Sequence, residues 1–160
     1  MELVQVCALS AASLAAVIDV FSRRIPNWLT LAAFTGGVVL NGWLNGTGGV
    51  ADALAGAVLG FALLLPFYAM RAMGAGDVKL LAAVGALVGP QVLVSVAVYG
   101  ALVGGAMSLV VLLARGRLSV ALSEVLVQHR PPTPSGATAP YGVAIASGVY
   151  LSLILPAVLR

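Results

Sequence analysis

Charge is what this chain has least of. Only 8% of its 160 residues are Asp, Glu, Lys or Arg, against 61% hydrophobic, and the mean hydropathy is +1.11. A soluble domain carries about a quarter charged residues, so this chain cannot cover a water-facing surface and reads as an integral membrane protein in contact with lipid. No basic face is available for nucleic acid, and the net charge of +3 tells less than where the charges fall. Cysteine and histidine are nearly absent. Cys7, alone in the first apolar run, offers no internal disulfide and no multi-cysteine zinc site, and reads as a small packing residue. His129 is the single histidine and stands in a polar, proline-rich stretch. A histidine triad or a metal centre has almost no material here, so no metal and no cofactor is expected. The length allows one domain, residues 1–160.

What is present is apolar run after apolar run. A helical span needs roughly 20 mostly apolar residues. Residues 3–20 make a first span, whose one charge is Asp19 at its end. Residues 22–27 break it, and Pro26 disfavours helix at Ile25 and can open the next helix. Residues 28–43 make a second span, with Trp28 and Trp43 placed as interface anchors. A turn follows at Asn45-Gly46-Thr47-Gly48-Gly49, then a third span at 51–70. No charge appears for 35 residues from Leu80 to Ala114. Gly89-Pro90 splits that run into a short fourth helix, 77–88, and a fifth, 91–114. Residues 118–127 read as an interfacial helix, Pro131 to Gly136 as a loop, and 141–159 as a sixth span. The expected fold is an all-α polytopic bundle of about six transmembrane helices.

The charges orient such a bundle. Glu2 precedes the first run and Arg23-Arg24 follow it, the reverse of a cleavable signal peptide, so that segment is expected to be retained. Seven of the eight basic residues, Arg23, Arg24, Arg71, Lys79, Arg115, Arg117 and Arg130, fall after spans one, three and five. The positive-inside rule then puts those loops, with Asp19 and Asp77, on the cytoplasmic side of the membrane and both termini outside. Small pairs four apart, Gly56/Gly60, Gly100/Gly104 and Ala101/Gly105, read as helix-packing positions.

Two acids stand out. Asp77 follows Gly74-Ala75-Gly76 at the edge of an apolar run, where an ionisable group is expensive and calls for a reason. The bland reading is a helix N-cap after an ordinary turn. Asp19 has its own bland reading, an ion pair with Arg23 four residues on. Both acids fall at one predicted depth, each at a helix end beside a helix-breaking turn. Two close carboxylates cannot easily both ionise, so they share a proton. One can then activate water while the other protonates a peptide carbonyl. Lys79 reads either as a group that stabilises such a pair or a substrate carboxylate, or as an interfacial anchor. Arg23 and Arg24 read as topology determinants that can also steer an acidic group. Asp52 falls on the other predicted side, as a cap of the third span, and Glu124 and His129 read as solvated loop residues.

Asp19 with Ile25-Pro26-Asn27, then Gly74-Ala75-Gly76-Asp77-Val78-Lys79-Leu80, then Pro140-Tyr141-Gly142, in that order, resemble the type IV prepilin leader peptidases, intramembrane aspartic proteases of the Gly-x-Gly-Asp type. The chain is most similar to the short members that accompany tight-adherence (Flp-type) pilus systems. The resemblance implies Asp19 and Asp77 as the catalytic pair and a prepilin as the partner, cut at its cytoplasmic leader ahead of its hydrophobic helix. It implies for Pro140-Tyr141-Gly142 a role in shaping the entry of the last helix near the site. Longer members add two Cys-x-x-Cys pairs associated with N-methylation of the new terminus. Cys7 cannot supply these, so no methyltransferase activity is expected. Two other classes fit a chain of this composition. A small transporter or channel subunit would use intramembrane acids to bind ions, and it would show paired broken helices in two repeat halves, where this chain has one break, at Gly74 to Asp77. A non-catalytic pilus assembly subunit would keep its role after either aspartate is changed.

Overall fold

The computed structural model describes residues 3–71, 73–116 and 141–155. They form helices and no strands: α1 Leu3–Ser22, α2 Asn27–Ala69, α3 Ala75–Ala114 and α4 Tyr141–Ile154. The all-α expectation holds and the count of six does not. Three helices, α1 to α3, are long and apolar enough to cross a membrane, and α4 is a shorter apolar helix of 14 residues. Four expectations change with it. The turn at 45–49 and the break at Gly89-Pro90 lie inside helices of 43 and 40 residues. The separate short helix at 77–88 is the first part of α3, and the last helix ends at Ile154. Glu2, Arg117, residues 118–127, Glu124, His129, Arg130, Pro131 to Gly136 and Pro140 fall outside the described residues.

The reason for the miscount is a single residue in each long helix. Gly46 (φ 61, ψ −146) and Gly89 (φ 76, ψ 171) leave helical geometry, and helix resumes at once on either side, so no loop intervenes. Only glycine reaches such angles without a steric penalty. Drawn straight, α2 would run about 65 Å at 1.5 Å per residue, twice a bilayer core of about 30 Å. It folds back instead. The backbone of Asn41 lies against Gly49, and the side chain of Val50 lies against Gly42, pairs that a straight helix would hold about 12 Å apart.

Both arms of α2 pack on the first half of α3. Gly37 meets Ala86 from one arm, and Gly56 and Gly60 meet Gly85 and Leu81 from the other. A Cβ on either Gly56 or Gly85 would overlap the other residue's carbonyl, so the two backbones are in direct contact. Close approach of this kind supplies the dispersion that holds helices together where lipid removes the hydrophobic drive. Gly100 approaches the Ala144 backbone of α4 and Gly104 the Tyr141 ring and the Ala144 methyl, whereas a Cβ at Gly105 would meet open space and Ala101 is exposed. Two of the three expected small pairs are therefore contacts and the third is not.

The first half of α3 is the axis of the bundle. Leu80, Leu81, Val84 and Leu87 are buried there, with Ala8, Ala12 and Ala15 of α1 and Ile145 and Val149 of α4 around them. On α1 the buried positions 4, 8, 12, 15 and 19 keep a spacing of three or four, one helical face. The kink at Gly89-Pro90 creates a debt of hydrogen bonds. Proline has no N–H, so the carbonyl of Ala86, four residues back, loses its helical donor. Asn41 Nδ2 replaces it, donating to the carbonyls of Ala86 at 3.1 Å and Leu87 at 3.0 Å as well as to its own Gly37 at 3.0 Å. In a medium without water such a group left unpaired is destabilising.

Candidate active site

Three stretches far apart in sequence meet at one end of this bundle. The first is the link between α1 and α2. Arg23 takes a left-handed conformation, φ 50, and its N–H donates to the Asp19 carbonyl at 2.8 Å, closing α1. Ile25 then packs on Gly76, where a Cβ would lie 3.2 Å from that of Ile25. Pro26 is the extended N-cap of α2. Asn27 opens the helix, and its Oδ1 accepts a hydrogen bond from Lys79 Nζ at 3.0 Å. Residues 25–27 are thus docked on residues 76–79.

Asp19 is buried on the last turn of α1, 7% exposed. Its Oδ2 accepts the N–H of Gly142 at 2.9 Å. That N–H belongs to the first turn of α4, one of the donors that a helix leaves without an internal acceptor. A Cβ at position 142 would lie 3.0 Å from Asp19 Oδ2 and 3.3 Å from its Cγ, so the absent side chain is what lets the carboxylate reach the helix end. Further along, Ser13 Oγ and the Tyr150 hydroxyl share a hydrogen bond of 3.0 Å between the same two helices. The Arg23 side chain is exposed. The Asp19 carboxylate is therefore secured from α4, and not by the ion pair that spacing alone suggested.

Asp77 is half-buried and stands third in α3. Its Oδ2 accepts the N–H of Gly74 at 3.2 Å, and its own N–H donates to the Gly74 carbonyl at 3.2 Å. Gly74 is the N-cap, so the bland reading of Asp77 as N-cap is displaced by three positions. Its carboxylate reaches back to the cap residue, as the acid of a capping box does. It is close enough to Asp19 for the two charges to interact, and the Tyr141 phenol lies in its field. The Tyr141 ring packs on Gly104, where a Cβ would be 3.0 Å from Cε2. Two carboxylates, a phenol and a helix N-terminus thus converge where α1, α3 and α4 meet. Such a pair can hold one proton between its members and move it.

The remaining candidates sort around this point. Gly74, Gly76, Pro26, Asn27, Tyr141 and Gly142 are brought to it, and Lys79 beside it faces α2. Arg24 is exposed on the link, and Arg71 (φ 57) closes α2 just ahead of Gly74. Asp52 is exposed on the second arm of α2, past Gly56 and toward the fold-back. Among the described residues no group of three or more His, Cys, Asp or Glu gathers as a metal site would require, and every buried side-chain nitrogen or oxygen has a hydrogen-bond partner. Sequence reasoning missed the Gly142 N–H as the partner of Asp19, and it missed Asn41. The signal for the first was a glycine directly behind the first residue of an apolar run. For the second it was an asparagine inside an apolar helix.

The sequence model of the type IV leader peptidase family matches residues 6–109, which take in Asp19 and residues 74–80 and stop short of Tyr141. The "Prepilin leader peptidase/N-methyltransferase" of Aeromonas hydrophila is 37% identical over 105 residues, 61% of this chain and 36% of that protein. Its namesake in Aeromonas salmonicida strain A449 is 36% identical over the same shares. The aligned part is thus about a third of these relatives' length. No solved structure matches the chain.

Proposed function

We propose a function from one premise: this chain belongs to the type IV leader peptidase family. It acts as an intramembrane aspartic endopeptidase that removes the cytoplasmic leader from type IV prepilins of the Flp type, with Asp19 and Asp77 as the catalytic pair. The observation that carries this reading is the meeting of two carboxylates from separate helices, α1 and α3, at one end of an otherwise apolar bundle.

The chemistry follows from one proton held by the pair. The ionised carboxylate takes a proton from water, and the water oxygen attacks the peptide carbonyl carbon. The protonated carboxyl gives its proton to the carbonyl oxygen. When the C–N bond breaks, the first carboxyl protonates the leaving nitrogen and the second recovers its proton from a hydroxyl of the intermediate. The pair ends as it began. Gly142 holds Asp19 in place through its N–H, and Gly74 holds Asp77.

Arg23, Arg24, Arg71 and Lys79 lie at the same end of the bundle as this pair, while Leu3, Asn45 and Leu153 line a cavity at the other end. The basic end is the cytoplasmic one by the positive-inside rule, which brings the leader of an inner-membrane prepilin to the carboxylates. Methylation is not part of the proposal. Cys7 cannot supply the cysteine pairs of the longer members. The test is co-expression of a candidate prepilin with the wild-type chain, with Asp19→Asn or Asp77→Asn, and with Asp52→Asn as control. A shift in prepilin mobility with the wild type and the control, and none with the first two, is the expected result. Processing by either of the first two would end the proposal. Mass spectrometry of the product should show an unmodified N-terminus, and a gain of about 14 Da, one methyl for one hydrogen, would contradict that part.

A further inference from the structure

Beside the carboxylate pair, on the opposite flank of α3, a groove of about 390 Å³ opens between the two arms of α2. Its upper rim is polar. Lys79 is exposed there and uses one of its three ammonium donors on Asn27. Below the rim the lining is apolar except for Thr30, whose hydroxyl donates to the Asn27 carbonyl at 3.1 Å. Leu31 and Phe34 form one wall, Phe61 the other, and Ala82 and Ala83 the floor. From Asn27 to Phe34 the groove runs about 10 Å along α2 at 1.5 Å per residue. It is open on its outer side, at the depth where α2 and α3 begin.

One end cationic and the other apolar is the complement of an amphiphile with an anionic head. Lysine acts as a point charge toward phosphate, and its ammonium is placed at the boundary while the apolar lining continues into the span. The aromatic walls and alanine floor leave a slot whose flanks are large and whose base is shallow, the shape of a chain lying along α3. The Lys79 ammonium is bonded to Asn27 of α2, while Asp19 is bonded to Gly142 and Asp77 to Gly74, and neither carboxylate lines the groove. The groove is therefore separate from the carboxylate site and does not depend on its assignment.

We infer that this groove is a binding site for an anionic phospholipid, with the headgroup phosphate on Lys79 at the Asn27 rim and an acyl chain between Phe34 and Phe61 over Ala82. The lipid would brace the two arms of α2 against α3 next to the link that carries Ile25.

The experiment is native mass spectrometry of the purified full-length protein in a neutral detergent, titrated with phosphatidylglycerol or with phosphatidylcholine of the same chains. Phosphatidylglycerol should bind about fivefold more tightly, the effect of one lysine on an anionic headgroup at a membrane surface. Lys79→Met should erase that preference. Ala82→Phe, which fills the slot while keeping Lys79, should weaken both lipids. Equal binding of the two lipids by the wild type, or an undiminished preference in Lys79→Met, would overturn the inference. If Lys79→Met does not accumulate, the Ala82→Phe result decides: unchanged retention of phosphatidylglycerol would place the lipid elsewhere. Glycerol phosphate without chains should not compete. Retention of a peptide with the apolar segment of a prepilin, with no retention of phosphatidylglycerol, would give the groove to the substrate and reject the lipid site.

Discussion

Asp19 takes its hydrogen bond from Gly142, 123 residues away, whereas Asp77 takes its own from Gly74, three residues back. Asp19 is buried between α1 and α4; Asp77 is half-buried at the mouth of its own helix. The same functional group is thus held once by tertiary packing and once by local geometry. A turn that caps its own helix can form wherever that helix forms. A carboxylate bonded across 123 residues exists only when α1 and α4 have already docked. The two halves of the candidate site should therefore fail in different ways. Changes to the α1–α4 contact reach Asp19 and leave the Asp77 turn intact.

The largest effect tests whether the two halves make one unit at all. Asp19→Asn and Asp77→Asn keep size and much of the hydrogen bonding. Each is expected to lower prepilin processing by about 10³-fold or more, and the double variant should be no worse than either single, because groups that act together are not additive. Multiplicative losses would mean that the two act independently.

The next effect separates the two supports. A Cβ at position 142 would press on Asp19 Oδ2 and Cγ at 3.0 and 3.3 Å, and Asp19 would have to move. A Cβ at position 74 would sit 3.4 Å from Asp77 Oδ2, an ordinary contact, with φ −77 that any residue accepts. Gly142→Ala is expected to reduce processing by about 10²-fold, the scale of a misplacement near 1 Å, at near-normal protein level. Gly74→Ala is expected to change it by less than about threefold, since the N–H that Asp77 uses is kept. Equal losses would show that both carboxylates depend on their glycines alike.

The same contrast explains what could be read in the sequence. Asp77 was legible because its support is local: an acid three residues after a glycine, at the start of an apolar run, carries its own turn. Asp19 was legible as an acid at a helix end, and spacing offered Arg23 as its partner, because a helical repeat is all that spacing encodes. Gly142 donates through its backbone, and no side-chain pattern marks a backbone N–H. Composition made the bundle legible, and it failed to count the helices. Gly46 and Gly89 each break the helix at one residue, with helix on both sides and no loop between, while glycine-rich stretches suggested separate spans joined by turns. Asn41 went unread because its acceptors, Ala86 and Leu87, matter only once Pro90 has removed a donor on another helix.

Asn41 lies far from both carboxylates, which makes it a control for the comparison. Asn41→Leu removes the donor to Ala86 and Leu87 and is expected to lower stability by about 1–3 kcal/mol, the cost of buried acceptors left unpaired. Thermal unfolding in detergent should show the loss. Processing per folded molecule should stay within about twofold, because neither the Gly142 nor the Gly74 bond is touched. A large fall in that normalised rate would mean that the fold-back of α2 and the site are coupled, and the distinction between local and tertiary support would be too simple.

The smallest expected effect concerns the residues that close α1 after Asp19 and α2 before Gly74. Arg23 follows Asp19 by four residues and Arg71 precedes Gly74 by three, and both hold positive φ, 50 and 57. That region costs an L-residue roughly 1 kcal/mol and costs glycine almost nothing. On backbone grounds alone either position would favour glycine, so the arginines stand there against a small conformational penalty. Their side chains are exposed at the basic end of the bundle, where charge orients a chain in the membrane. Arg23→Gly and Arg71→Gly are each expected to change unfolding stability by no more than about 1 kcal/mol, toward greater stability where the relief of strain exceeds the freedom glycine gains in the unfolded chain. Insertion is the readout that should move the other way. A cysteine at Thr47, with Cys7 replaced, reports orientation by labelling from outside, and the double glycine variant should show a larger unlabelled fraction than the wild type. A loss of stability well beyond 1 kcal/mol in Arg23→Gly, with orientation unchanged, would assign Arg23 a packing or pairing role toward Asp19, and the Asp19 half of the site would then rest on local support as the Asp77 half does.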